Sequence, residues 1–242
     1  MPGEALDRDD LISGLNAVIA KLRAAGQPAG IRIIGGAALA LRYFDRDTTT
    51  DIDARLQPEG PIRAIATDVA RENQWPSDWL NSAAAQFIPT YGADPEWEVL
   101  YSSDGITVEV ASPRALLAMK LNASRAGRDD QDIANLLAIC KIPDIDAAED
   151  LLNEYFPGDA LPDKALRILV PVFAHGLPDI PAVPPTPVLG LDPELPSVER
   201  PIRADLTARK QRFPELRNMT LDPYGLGAAE DHNPTTKSDF LP

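Results

Sequence analysis

Two aspartates one residue apart, Asp51 and Asp53, stand near the end of the stretch IRIIGGAALALRYFDRDTTTDIDARL, residues 31–56. The alternation through Ile52 to Leu56 predicts a strand. Asp51, Asp53 and Arg55 share one of its faces; Ile52, Ala54 and Leu56 share the other. Carboxylates at i and i+2 on a strand edge can hold Mg²⁺ (or Mn²⁺), an oxygen-seeking cation that keeps places for water and phosphate. Two such ions could clamp the attacking and leaving oxygens of an in-line phosphoryl displacement. Upstream, Gly35-Gly36 lacks side chains where a helix opens, so a triphosphate could approach the backbone and the first N–H groups of that helix. The plainer alternative is a turn between strands with a solvated acidic end, and the local pattern fits both.

The neighbouring elements must position those groups. Ile31, Ile33 and Ile34 form a β-branched run that Gly35-Gly36 breaks. Ala37 to Phe44 has helical composition, with Leu39, Tyr43 and Phe44 on or near one face. Before it, residues 10–25 place Leu11, Leu15, Val18, Ile19 and Leu22 at helical spacing, with Asp9 or Asp10 as cap and Gly26 as stop. Pro58 to Gly60 turns the chain into a helix from Pro61 to Asn73. Trp75, Trp79, Leu80 and Phe87 are expected to cover the sheet. Glu96 to Tyr101 and Ile106 to Val110 alternate as strands around Asp104-Gly105, a tight-hairpin signal. Thr107 and Glu109 then face away from Val108 and Val110. Ser112-Pro113 opens a helix by capping. Lys120 lies amid apolar neighbours in LLAMKLNASR. It either snorkels from a core-facing helix or reaches a phosphate as a point charge. Acidic residues from Asp129 suit the start of the next helix, and Arg128 and Asp132 have i, i+4 spacing for an ion pair.

Residues 35–56 resemble the nucleotidyltransferase superfamily of DNA polymerase β type. Within it they look most like the abortive-infection toxins of AbiEii-like toxin–antitoxin pairs, which carry GG[ST] or GGxA, a short helix and RxTxDxD. Thr49, Asp51 and Asp53 fit that pattern. Ala37 replaces a frequent Ser or Thr, and Asp47 stands where the motif has Arg, with Arg46 one place early. A second block, SPRALLAMKLNASRAGRDDQDIANLL, resembles the same family's lysine helix and RDxxDIxxLL run through Lys120, Arg125, Arg128, Asp129 and Asp132.

The resemblance implies a polymerase-β-type α+β fold: a small mixed sheet flanked by helices and a helical C-terminal region; it does not cover the proline-rich tail, which composition alone marks beyond it. It implies that Asp51, Asp53, Lys120 and Asp132 are catalytic. Gly35, Gly36, Thr49, Lys120 and Arg128 would bind nucleotide. Asp51 and Asp53 would bind metal, with Glu109 as the third carboxylate, unless Glu109 is a solvent-facing edge residue. The implied reaction moves a nucleoside monophosphate from an NTP to an RNA acceptor (a tRNA 3′ end) or a protein hydroxyl. The implied setting is a toxin held by a cognate antitoxin. The departures at Ala37 and Asp47 favour an alternative, a catalytically lapsed relative that acts as a regulatory or partner-binding module.

Length and composition bound these readings. The 242 residues are 44% hydrophobic and 25% charged, as in globular proteins. A net charge of −14 argues against broad nucleic-acid binding, though not against a local basic groove such as Arg114, Lys120, Arg125, Arg128 and Lys141 could make. One cysteine, Cys140, leaves no internal disulfide, and the two histidines, in different contexts, make no zinc motif. The polar start and the lack of a long apolar run predict a cytoplasmic protein with no membrane partner. The expected organisation is a catalytic core over 1–112, a helical region over 113–176 and an extended tail over 177–242. Within the tail, Pro181, Pro184, Pro185 and Pro187 have polyproline spacing. The tail is then an arm on its own domain or a second copy, a segment that binds a partner protein, or a flexible extension without a specific role. Leu and Val between the prolines favour an arm that packs on something. A short helix is expected over 202–213.

Overall fold

The computed structural model describes residues 5–46, 48–125 and 127–191. Asp47, the helix expected over 202–213 and the rest of the chain from 192 lie outside the described residues. The described residues are α+β, with a five-stranded mixed sheet and seven α-helices.

Helix α1 (Arg8–Ala24) buries Leu11, Leu15, Val18, Ile19 and Leu22, the predicted stripe. Each such side chain contributes about 1.5–3 kcal/mol on burial. Its cap is Asp7, two places before the earliest expected one. Asp7 Oδ1 accepts from the Asp10 backbone N–H at 2.8 Å, and the Asp10 carboxylate accepts in return from the Asp7 N–H. Asp9 and Asp10 fall in the first turn instead.

Strand β1 (Ala29–Ile33) leads into α2 (Gly35–Arg42), and β2 (Ile52–Gln57) leads into α3 (Glu59–Asn73). A two-residue strand, β3 (Leu80–Asn81), follows, then a 3₁₀ turn over Ala83–Phe87. Strands β4 (Trp97–Ser103) and β5 (Ile106–Ala111) form the predicted hairpin. Asp104 and Gly105 both take positive φ, 53° and 72°, as a tight turn of this kind requires. The sheet order is β3-β2-β1-β5-β4. β1 runs antiparallel to β2 and parallel to β5.

One face of the sheet is apolar. Ile31, Ile33, Ile52, Ala54, Ile106, Val108 and Val110 are buried in a core shared with α1, α2 and α3. Trp79 and Leu80 join this core as expected. Phe87 does not: it is among the exposed large hydrophobic side chains. The other sheet face is polar and half-exposed, carrying Asp53, Arg55, Arg32 and Glu109.

The helical region follows as α4 (Pro113–Ala123), α5 (Asp130–Cys140), α6 (Ile145–Tyr155) and α7 (Asp163–His175). Ser112 caps α4 with Pro113 in its first turn. Burial pushes the Cys140 thiol up to about 11, which leaves it a core thiol rather than a nucleophile. Residues 177–191 hold no regular structure, yet they pack along α1. Asn16 Nδ2 donates to the Val188 carbonyl at 3.2 Å, and Asn16 Oδ1 accepts from Gly190 N at 2.7 Å and Leu191 N at 3.2 Å. Arg8 bonds the Pro185 carbonyl, and Pro187 is buried. Gly190 lies against the Tyr101 ring with φ of 82°, where a Cβ would collide. This part of the tail is therefore an arm on its own domain. Among the described residues, no helix is long and apolar enough to cross a membrane.

Candidate active site

The site begins where β1 ends. Gly35 takes φ of 68°, and a Cβ there would stand 3.4 Å from Asp53 Oδ2. A Cβ on Gly36 would strike the Arg46 guanidinium and approach Thr49 Oγ1 to 3.1 Å. Positive φ favours glycine at position 35 and the close Arg46 side chain favours it at 36; the two face Asp53 on one side and Arg46 with Thr49 on the other. Helix α2 has no side-chain cap, so its first N–H groups have no side-chain acceptor.

Thr49 is buried. Its Oγ1 donates to the Asp51 carbonyl at 3.2 Å, and its backbone pairs with Leu6. It shapes the approach to β2. Asp51 Oδ1 accepts from Thr50 Oγ1, and Asp51 Oδ2 accepts from Asn81 Nδ2, both at 3.0 Å. Asn81 has no signal in the sequence; the short β3, parallel to β2, delivers it. Burial and then the neighbouring Asp51 charge push the Asp53 carboxyl above the usual range, and the Ala84 N–H, Arg125 and Arg128 pull the other way. Arg125 and Arg128 therefore lie within electrostatic reach of Asp53.

Lys120 is buried and does not snorkel. Its Nζ donates to Asp129 Oδ1 at 2.8 Å and lies 2.9 Å from Asp132 Oδ2, an ionic contact outside hydrogen-bond geometry. Burial alone would raise the Asp129 carboxyl. Lys120 and the bonds from the side chain and backbone of Arg125 outweigh it and hold the group below the usual range. Asp132 Oδ1 meets Arg46 Nε at 3.3 Å. Arg46 thus bridges the Gly36 turn to α5, a role that its place one residue ahead of the RxTxDxD pattern does not reveal. The Arg128–Asp132 pair does not form, because α5 starts at Asp130 and leaves Arg128 in the preceding turn, exposed.

Glu109 stands apart. It faces the same side of the sheet as Asp53, as the alternation predicts, but β1 lies between their strands. Glu109 pairs instead with Arg32, Oε2 to Nε at 2.8 Å. Among the described residues, no three His, Cys, Asp or Glu side chains gather as a metal group. The donor set that does meet is Asp51 and Asp53. Two mutually repelling carboxylates, both half-buried, suit a hard divalent cation that also takes water and phosphate oxygens.

No family model, curated protein or solved structure matches this chain.

Proposed function

We propose that the chain is a metal-dependent nucleotidyltransferase of polymerase-β-type fold, moving a nucleoside monophosphate from an NTP to an RNA or protein hydroxyl. The observation that carries this reading is convergence. Gly35-Gly36 with Asp51 and Asp53 on one side, and Arg125, Arg128 and Asp132 on the other, meet at one place although about 80 residues separate the two groups in sequence. Asp51 and Asp53 would hold Mg²⁺, which would neutralise phosphate charge as it shifts to the leaving group.

The chain's own residues bind and orient. Gly35 and Gly36 leave room for the phosphates beside the uncapped start of α2. Arg128, exposed and in no ion pair among the described residues, receives the outer phosphates together with the exposed part of Arg125, whose Nε is held by Asp129. The acceptor hydroxyl oxygen then bonds to the α-phosphorus and gives up its proton to water as the bond to pyrophosphate breaks, and pyrophosphate leaves. Catalysis of this kind is positioning and charge stabilisation. Lys120 acts here through Asp129 and Asp132, holding the arginine-bearing loop. Toxin activity restrained by a cognate antitoxin, in the cytoplasm, is the biological setting that the resemblance favours, with self-association through the tail beyond residue 191 as a further element.

Two observations favour a second reading, a lapsed transferase that serves as a binding module. Lys120 is fully engaged by two carboxylates, and Ala37 offers no hydroxyl to a phosphate. Incubation with Mg²⁺, each α-labelled NTP and total RNA plus protein extract separates the two. Label in a discrete band, lost in Asp51→Ala, is expected for the transferase. No label from any NTP, with the protein folded, selects the binding module.

A further inference from the structure

The half-exposed sheet face carries a depression that the proposed nucleotide site does not use. Gly30 is its floor, and Arg32, Arg55, Gln57, Thr107 and Glu109 wall a space of ≈ 170 Å³. The register explains the arrangement. Gly30 lies directly between Gln57 of β2 and Thr107 of β5, and Arg32 directly between Arg55 and Glu109.

Two features of this face are unfavourable for the protein alone. Arg32 and Arg55 are cross-strand neighbours, and like charges directly opposite destabilise a sheet pair. Glu109 answers only one of them. It bonds Arg32 at Nε, and the Arg32 guanidinium lies 5.1 Å over the Trp97 ring. Arg55 makes no hydrogen bond or ion pair among the described residues. The second feature is Gly30. A mid-strand glycine weakens a strand and often marks close approach of a ligand. Packing does not demand it: a Cβ on Gly30 would meet only Thr107 Oγ1 at 3.7 Å and the Gln57 carbonyl at 3.8 Å, ordinary contacts.

We propose that this depression is a phosphate-binding subsite. Arg55 and the Nη groups of Arg32 grip a phosphoryl group above Gly30, and the Thr107 hydroxyl and Gln57 amide supply further donors. Guanidinium forks match phosphate oxygens in pairs, which suits two arginines side by side. Glu109 is a positioning residue: by holding Nε it fixes the Arg32 plane and leaves the Nη groups unbonded. The phosphoryl group could belong to a nucleic-acid backbone or to free phosphate, since the recognising chemistry is the same. The subsite lies on the face that carries Asp53, two residues before Arg55 on β2. It rests on the sheet face alone and holds whether or not the chain transfers nucleotides.

The test uses the full chain without NTP. Inorganic phosphate is titrated by calorimetry, and a short labelled single-stranded RNA by anisotropy at low salt. Arg55→Gln is expected to weaken binding about tenfold or more. Gly30→Ala should also weaken it, with Tm kept or raised, because the methyl group fills the floor. Arg71→Gln, on the outer surface of α3, should change nothing. RNA binding that Arg55→Gln loses and excess phosphate displaces assigns a phosphodiester ligand. Phosphate binding that Arg55→Gln loses, with no RNA binding, assigns free phosphate. Wild-type protein that binds neither probe overturns the proposal, as does affinity unchanged in Arg55→Gln.

Discussion

Asp53 concentrates the conflict between stability and use. Burial and the Asp51 charge raise its folded pKa. A folded state that binds the proton more tightly than the unfolded chain loses stability as pH rises from the unfolded value through the folded one. At neutral pH the ionised pair therefore opposes folding. Asp53→Asn is expected to raise Tm in the presence of EDTA, at about 2–4 °C per kcal/mol relieved in a chain of this size, and to abolish transfer. Mg²⁺ should raise Tm in wild type and leave the variant unmoved. A variant that melts earlier than wild type in EDTA would sink this account. Lys120 behaves oppositely. Its removal takes one of two cationic partners from each of Asp129 and Asp132, both buried, so Lys120→Met is expected to cost about 3 kcal/mol in urea unfolding. Inactivity of that variant would then report the fold of the loop before any loss of nucleotide contact.

Elements whose signals are local were legible in the sequence. Asp104-Gly105 specified the hairpin, Ser112-Pro113 the start of α4, and alternation put Glu109 and Asp53 on one side of the sheet. What depends on strand order was not legible: β1 stands between Glu109 and Asp53, and no periodicity states which strands are neighbours. The two-residue β3 is too short to carry a pattern, so Asn81 escaped notice. Lys120 was open between snorkelling and phosphate contact because its partners come from the next helix. The arm over 177–191 shows the same division. Proline spacing predicted an extended segment, but only the fold shows that Asn16 of α1 satisfies three of its backbone groups. Asn16→Ala is expected to lower stability by roughly 1–3 kcal/mol and to speed amide exchange at Gly190 and Leu191. Exchange at those amides as slow as in wild type would show that the arm is held by its apolar contacts instead.

At the scale of the molecule, charged groups of opposite thermodynamic sign set the response to pH. Asp132 contacts Lys120 of α4 and Arg46 beside the sheet, so the helical region and the sheet share one charged cluster. They are expected to unfold in a single transition. Asp129 has a depressed folded pKa; its stabilisation is present above the unfolded value and is lost as pH falls through the folded one. Asp53, with its raised pKa, removes stability in a higher window, as pH climbs from the unfolded value through the folded one. The net charge of −14 adds self-repulsion once the carboxylates are ionised. Urea midpoints measured from about pH 3 to 8 should therefore peak between the lowered folded pKa of Asp129 and the raised one of Asp53. Asp53→Asn should flatten the descending limb toward neutrality and leave the acid limb in place. Asp129→Asn should flatten the acid limb and lower the maximum, because Lys120 and Arg125 lose a partner. Profiles of both variants that run parallel to wild type would place the pH dependence in the surface charge as a whole rather than in this cluster.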